Sequence, residues 1–215
     1  MPTFYVDLDN TLADRATAYR GWAVDHLAER GAHPGLIEQM VAADRDGLGR
    51  KQDTVDDIAA LLDLDEDEAS GVLAAFRAGI VERLAPVPGS VGALRRLREA
   101  GWALVIVTNG ATHQQNAKIE QLGLAPLVDS WVISEAEGVA KPDPELFRIA
   151  AARAGLTLSP EDWMVGDSAE SDVAGGRAAG LRTIWLSRAR QWPAELEPPT
   201  TIADTWDDVV TAILG

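Results

Sequence analysis

Two aspartates, Asp7 and Asp9, follow a short apolar run over Thr3–Val6 that is typical of a buried strand. On extended backbone, side chains two residues apart point to the same side. Two carboxylates held side by side repel each other unless a cation is present or one of them keeps its proton. The pair therefore indicates a metal or acid–base site, or else the polar turn residues that commonly end a strand.

A hydroxyl and an amide, Thr108 and Asn109, end the next apolar strand, which is predicted over 103–107. Because Gly110 follows directly, these side chains could place hydrogen-bond donors around a phosphate. The alternative is a helix N-cap, in which the same side chains only satisfy backbone groups of the following helix.

Three further charged residues occupy similar positions. Lys141 precedes a proline, which favours extended backbone. Asp167 follows a strand predicted over 163–165, and Asp172 falls in the first turn of the next predicted helix. Solvation of the lysine and capping by the aspartates explain each residue singly, but not their joint occurrence at successive strand ends.

Strands and helices alternate from about residue 86 to the end of the chain. This alternation predicts an α/β fold with a Rossmann-like parallel sheet flanked by helices. In such sheets the ligand crevice lies at the carboxyl ends of the strands, so the polar groups above are expected to converge. Strands are predicted over 3–6, 103–107, 130–134, 163–165 and 183–186.

The segment between the Asp7–Asp9 pair and the Thr108–Asn109 pair has a different residue pattern. Residues 15–84 show helical spacing of apolar residues and no convincing strand. We therefore expect an inserted α-helical cap domain over 15–84 and an α/β core domain formed by 1–14 with 85–215.

Composition limits the possible functions. The chain has 215 residues, no cysteine and a formal net charge of −15, which excludes thiol catalysis and disfavours nucleic-acid polymers and anionic membranes as partners. No apolar stretch is long enough for a membrane span, and no signal peptide precedes the first strand. These features predict a cytoplasmic protein, and the lack of heptads predicts a monomer.

Taken in order, the motifs DxDxT, Thr-Asn, Lys-Pro and GDSxxxD make the chain resemble the haloacid dehalogenase-like (HAD) hydrolase superfamily. The resemblance covers nearly the whole chain and is to the phosphatase type, with an α-helical cap between the first and second motifs. It implies that Asp7 is the nucleophile that forms an aspartyl-phosphate. It also implies that Asp9 is the general acid and base, and that Thr108, Asn109 and Lys141 bind the phosphate.

The same resemblance implies a magnesium ion. Asp7, Asp167 and the backbone carbonyl of Asp9 would be its ligands, since Mg²⁺ prefers hard oxygen donors. Asp172 would orient Lys141 or a metal-bound water from outside the ligand shell.

The second carboxylate bears on the reaction, because the dehalogenases of the superfamily lack an aspartate at the position of Asp9. We therefore predict a Mg²⁺-dependent phosphatase acting on a small phosphomonoester, a nucleotide or a sugar phosphate. A phosphomutase or phosphotransferase, or a non-catalytic HAD-like binding module, remain alternatives. In the insert, Trp22, Arg45 and Arg50 are candidate substrate contacts. Members of the family that hydrolyse phosphonates use a cap lysine that forms an imine, but we interpret Lys51, the lysine of this insert, as a polar loop residue.

Overall fold

The computed structural model describes all 215 residues, which divide into two compact units. Residues 1–13 and 86–215 form the first, called here the α/β unit, and residues 14–85 form the second, the helical unit. Both boundaries lie one residue from those expected on sequence grounds. The helical unit is an insertion between the first strand and the rest of the α/β unit.

A six-stranded, fully parallel sheet forms the centre of the α/β unit. Numbered along the chain, the strands lie in the order β3-β2-β1-β4-β5-β6, with β1 between β2 and β4. Successive strands are added on one side of β1 up to β3 and on its other side from β4 onward, so the order of the strands reverses at β1. This confirms the predicted Rossmann-like fold, and such a reversal opens a crevice at the carboxyl ends of the central strands. The strands are β1 (Thr3–Val6), β2 (Ala103–Thr108), β3 (Ser130–Ile133), β4 (Trp163–Gly166), β5 (Arg182–Leu186) and β6 (Thr201–Ala203).

The central strands are almost entirely apolar because helices cover both of their faces. Every residue of β1, β2 and β4 is buried. On one side α8 packs against β2 and β3, and Tyr5 meets Phe147 edge to face at a ring distance of 6.2 Å. The helices are α5 (Ser90–Glu99), α6 (Thr112–Gln121), α7 (Ser134–Glu137), α8 (Pro144–Arg153), α9 (Ala174–Ala178) and α10 (Trp206–Leu214).

Four helices make up most of the helical unit, and side chains cap the starts of the first and the fourth. Asp14 accepts a hydrogen bond from the amide of Thr17 at the start of the first helix. Asp65 and Glu68 form a reciprocal capping box at the start of the fourth, which satisfies two otherwise unpaired amides. The helices are α1 (Arg15–Glu29), α2 (Ile37–Asp44), α3 (Lys51–Leu62) and α4 (Glu66–Arg83).

Trp22 lies in the core of the helical unit. Its side chain is 5 % exposed and packs against the rings of Tyr19, His26 and Phe76. A Cβ added at Gly79 would lie 2.2 Å from the indole of Trp22, so the glycine allows α4 to approach α1 closely. The prediction that Trp22 contacts the substrate is corrected accordingly, since its ring is covered by other aromatic side chains.

The structure differs from the sequence prediction in several elements, among them the short helix α7, which was not predicted. Strand β6 was not predicted, because it has three residues and its central Ile202 is half exposed. Helix α3 begins at Lys51, whereas the spacing of its apolar residues predicts a helix over 54–62. The helix predicted over 171–179 is a π-helical turn, Ala169–Val173, followed by the short α9.

No helix combines the length and the apolar composition that crossing a lipid bilayer would require.

Candidate active site

The first candidate pair lies where β1 ends. The amide of Asp7 donates to the carbonyl of Val165 (2.9 Å), so Asp7 continues the pairing of β1 with β4. The chain then turns sharply at Asn10, whose φ is 58° and whose amide donates to the carbonyl of Ala13 (2.7 Å). Asparagine is one of the few residues that tolerate this left-handed backbone. The turn leaves Asp7 buried and Asp9 partly exposed at the carboxyl end of the sheet.

Lys141 reaches Asp7 from the loop before α8. Its Nζ donates to Oδ1 of Asp7 (2.7 Å), to Oδ1 of Asp172 (2.7 Å) and to the carbonyl of Val107 (2.6 Å). An ammonium group has three N–H donors, so these partners match its full capacity. With 1 % of its side chain exposed, Lys141 is fixed in position and is not the solvated surface charge that a lone lysine usually is.

Asn109 holds Lys141 in place. Its side-chain amide donates to the carbonyl of Lys141 (2.9 Å), and its side-chain oxygen accepts from the amide of the same residue (2.9 Å). The predicted phosphate contact of Asn109 is therefore revised, since both ends of its side chain bind the Lys141 backbone. The neighbouring Thr108 is buried, and its hydroxyl oxygen accepts from Nε2 of Gln115 (2.6 Å).

Asp167 and Asp172 come together after β4. One carboxylate oxygen from each of them and one from Asp7 lie within 4.8 Å of one another. Oδ2 of Asp172 accepts from the amide of Ser168 (2.9 Å). A Cβ at Gly166 would lie 2.1 Å from that oxygen, so glycine is required for the carboxylate to approach the strand. The strand ends thus bring three buried carboxylates into one cluster, as their positions in the sequence suggested.

Two arginines that the sequence analysis overlooked bind Asp167. Arg188 donates from Nη1 to Oδ2 of Asp167 (2.9 Å), and Arg190 donates from Nη2 to the same oxygen (3.1 Å) and to the carbonyl of Asp167 (2.6 Å). Both follow β5, whose carboxyl end lies beside that of β4. Because functional residues of such sheets gather at the carboxyl ends of the strands, the position of Arg188 and Arg190 after β5 was the signal that could have found them.

Asp9 also has a basic partner that was overlooked. Nζ of Lys118 lies 2.7 Å from its Oδ1 and 2.6 Å from its Oδ2, and Nε2 of Gln115 donates to Oδ2 (3.1 Å). Both partners are on α6, three residues apart and therefore on one face of the helix. Each aspartate of the first motif is thus paired with its own buried lysine.

Burial dominates the electrostatics of the carboxylates. It raises the pKa of Asp7 to about 7, against the lowering effect of Lys141. It raises the pKa of Asp167 to about 6, with the charge of Asp7 adding to the rise, and it raises the pKa of Asp172 as well. Burial alone would lower the pKa of Lys141, but Asp172 and Asp7 raise it overall, so the lysine stays charged.

The family model for haloacid dehalogenase-like hydrolases matches residues 1–180 of the chain. The chain belongs to this family. It is 40 % identical over 132 residues to the pyrimidine 5'-nucleotidase YjjG of Escherichia coli, covering 61 % of this chain and 56 % of that protein. It is 30 % identical over 207 residues to a glyceraldehyde 3-phosphate phosphatase of Pyrococcus furiosus, covering 90 % of this chain and 83 % of the relative.

The chain spans about half the length of several other curated relatives that it matches. In structure it is similar to the HAD-hydrolase YfnB of Bacillus subtilis, with a TM-score of 0.85, 23 % identity, and 99 % and 98 % of the two chains covered. Other similar structures are L-2-haloacid dehalogenases. The fold of this HAD-like hydrolase therefore does not by itself choose between cleavage of a phosphate ester and of a carbon–halogen bond.

The carboxylate cluster of this HAD-like hydrolase fits a magnesium ion. Its donors are oxygens only, which is the chemistry that Mg²⁺ prefers. Asp7 and Asp167 are buried, which removes solvating water and raises the pKa of both carboxyl groups, and a cation bound directly to their oxygens would replace that water. Lys141, Arg188 and Arg190 balance the three carboxylates, so a divalent cation would leave the cluster positive and suited to a phosphate dianion.

The remaining candidates lie in the helical unit. Arg45 forms an ion pair with Asp57 (2.9 Å) and lines a cavity of about 340 Å³ beside Tyr19 and Asp44. Arg50 is exposed just before α3. Nζ of Lys51 donates to a backbone carbonyl within the same unit (2.7 Å). Substrate contact by Arg45 and Arg50 stays a prediction.

Proposed function

We propose that this protein is a Mg²⁺-dependent phosphatase that hydrolyses a small phosphomonoester through an aspartyl-phosphate on Asp7. The observation that carries the proposal is the pairing of a buried Asp7–Lys141 contact (2.7 Å) with a second carboxylate, Asp9, two residues further on. A nucleophile and a separate acid–base group are what phosphoester hydrolysis through a covalent intermediate requires. The phosphatases and the nucleotidase among the relatives support the same reading.

In the first step, a carboxylate oxygen of Asp7 attacks the phosphorus atom, and the bond to the ester oxygen breaks. Asp9 gives its proton to that oxygen, which leaves as an alcohol. Lys141 keeps the Asp7 carboxylate in place and offsets its charge as the phosphoryl group approaches. Magnesium, held by Asp7, Asp167 and the carbonyl of Asp9, would neutralise charge on the phosphoryl oxygens when bound.

In the second step, water attacks the phosphorus atom of the aspartyl-phosphate. Asp9 takes a proton from that water, the bond between phosphorus and the Asp7 oxygen breaks, and inorganic phosphate and free Asp7 result. Thr108 is the last residue of β2 and lies at the carboxyl end of the sheet, so we place its hydroxyl beside the phosphoryl oxygens.

We place the substrate among small phosphate esters, because a net charge of −15 repels nucleic-acid polymers. The relatives described as acting on pyrimidine nucleotides, glyceraldehyde 3-phosphate and phosphoserine define the first compounds to try. Arg45 and Arg50 are the candidates in the helical unit for selecting among them. The monomeric state and the cytoplasmic location stay predictions, and light scattering on the purified chain tests the first.

The experiment is a panel of phosphomonoesters assayed with Mg²⁺ and with EDTA, using wild type, Asp7→Asn and Asp143→Asn. Asp143 caps α8 from an exposed position and is the matched aspartate control. We expect Mg²⁺-dependent release of phosphate by wild type and by the Asp143 variant, and none by Asp7→Asn. Equal phosphate release by Asp7→Asn and wild type would exclude the proposed chemistry.

A further inference from the structure

The ammonium group of Lys118 contacts both carboxylate oxygens of Asp9. The distances from its Nζ are 2.7 Å to Oδ1 and 2.6 Å to Oδ2. The lysine side chain is 4 % exposed and the aspartate side chain is 24 % exposed. The chain has three lysines among 19 basic residues, and two of them, Lys118 and Lys141, are buried against the aspartates of one motif.

Gln115 joins this pair to the rest of the site. Its Nε2 donates to Oδ2 of Asp9 (3.1 Å) and to the hydroxyl oxygen of Thr108 (2.6 Å), and Gln115 itself is 1 % exposed. Helix α6 therefore presents two donors to Asp9 from one face and fixes the orientation of the carboxylate plane. A lysine on an exposed loop would lose side-chain entropy to do this, whereas Lys118 is held by the packing around it.

We propose that Lys118 is the positioning residue of Asp9 for the second step of the reaction, in which the aspartyl-phosphate is hydrolysed. This rests on the proposed function. An ammonium group in contact with both oxygens stabilises the charged carboxylate and aims it. A charged, oriented carboxylate is what must accept the proton of the attacking water, which adds its oxygen to phosphorus as the bond to Asp7 breaks.

The first step depends less on this contact when the leaving group is good. A p-nitrophenolate ion leaves without needing a proton, so phosphorylation of Asp7 by p-nitrophenyl phosphate makes little use of Asp9. Lys118→Met therefore leaves kcat/KM for this substrate within about twofold of wild type but lowers kcat about 10- to 100-fold. KM falls with kcat, and the phosphoenzyme accumulates.

The experiment measures steady-state kinetics and the decay of the phosphoenzyme by rapid quench, with Mg²⁺ present. Lys118→Arg keeps a cation on α6 and should restore most of the decay rate. Lys51→Met removes the third lysine, from the helical unit, and should leave the decay unchanged. If Lys118→Met does not fold by circular dichroism, Lys118→Gln takes its place.

A double-mutant cycle shows whether Lys118 acts through Asp9. In an Asp9→Asn background the Lys118→Met substitution should not slow phosphoenzyme decay further. An additional slowing there, or a fall in kcat/KM equal to that in kcat, would overturn the proposal and make Lys118 a phosphate-binding or purely structural residue. Failure of the proposed function itself is recognised separately, because wild type would then form no phosphoenzyme.

Discussion

The ammonium group of Lys141 lies 2.7 Å from Oδ1 of Asp7, in an ion pair with both residues buried. The two residues are 134 positions apart in the sequence, so the contact exists only when the sheet has formed and the loop before α8 is in place. Asp172 shares the same ammonium group at 2.7 Å. The nucleophile we propose is thus positioned by Lys141 and Asp172, which lie on two segments distant from it in the sequence.

Asp7→Asn should abolish turnover, by at least about 1,000-fold, because an amide is a far weaker nucleophile of nearly the same shape. The measurement is initial-rate kinetics on the best substrate of the panel, with folding checked by circular dichroism. Asp143→Asn should retain wild-type rates. Substantial activity of Asp7→Asn would mean that another group attacks phosphorus.

The same substitution should stabilise the metal-free protein near neutral pH. Because burial raises the pKa of Asp7 to about 7, the folded protein binds more protons than the unfolded chain between about pH 4 and about pH 7. The contribution of Asp7 to the free energy of unfolding therefore falls as pH rises through that range. Asp7→Asn removes this loss of stability, so the variant should be more stable than wild type at pH 7.5 by an amount on the order of 4 kcal/mol.

Urea unfolding of both variants in EDTA, from about pH 5 to about pH 8, measures the effect. His26, whose pKa burial lowers, acts in the opposite direction, but it is common to both proteins and cancels in their difference. That difference should grow with pH and level off above about pH 7. A constant difference would show that Asp7 titrates at its ordinary value.

Asp167→Asn should weaken Mg²⁺ binding more than Asp172→Asn does. We place Asp167 among the metal ligands, whereas Asp172 is engaged by Lys141 and the Ser168 amide. Losing a direct ligand should weaken binding about 100-fold, and losing an outer contact about 10-fold. Calorimetric titration of Mg²⁺ into each variant measures both affinities, and equal losses would mean that Asp172 is also a ligand.

Gly79→Ala should destabilise the helical unit by about 1–3 kcal/mol, because the new Cβ would lie 2.2 Å from the Trp22 indole. Gly71→Ala is the control on the same helix. No atom lies within 4 Å of its added Cβ, so it should be neutral or stabilise by up to about 1 kcal/mol. Thermal unfolding followed by tryptophan fluorescence compares them, and equal effects would contradict the packing described for Trp22.

The fold could be predicted from the sequence because its central strands are buried on both faces and therefore have a recognisable apolar pattern. Strands β1, β2 and β4 are apolar except for Thr3 and Thr108 at the ends of β1 and β2, and a nearly continuous apolar run is typical of a strand buried on both faces. The edge strand β6 has no such pattern, since Ile202 is half exposed and its pairing with β5 depends on tertiary structure.

The candidate site was predicted only where position along the chain determines position in space. Residues at strand ends, such as Asp7 and Asp167, must gather at one edge of the sheet. Lys118 reaches Asp9 from the middle of a helix, so its partner depends on how α6 packs and on the reach of a long side chain. The position of Trp22 was predicted wrongly because Tyr19, Trp22 and His26 share one face of α1. Such a row of aromatic side chains is as typical of a buried core as of a substrate cleft.

Trapping the phosphoenzyme identifies the residue that attacks phosphorus. Wild type is mixed with its best substrate and Mg²⁺, quenched in acid and digested with trypsin, and the peptide of residues 1–15 is sequenced by tandem mass spectrometry. We expect a phosphoryl group on Asp7 that is absent from the Asp7→Asn protein and is removed by hydroxylamine, as for an acyl phosphate. Rapid turnover with no phosphoryl group on this peptide, or with one on Asp9 instead, would contradict this expectation.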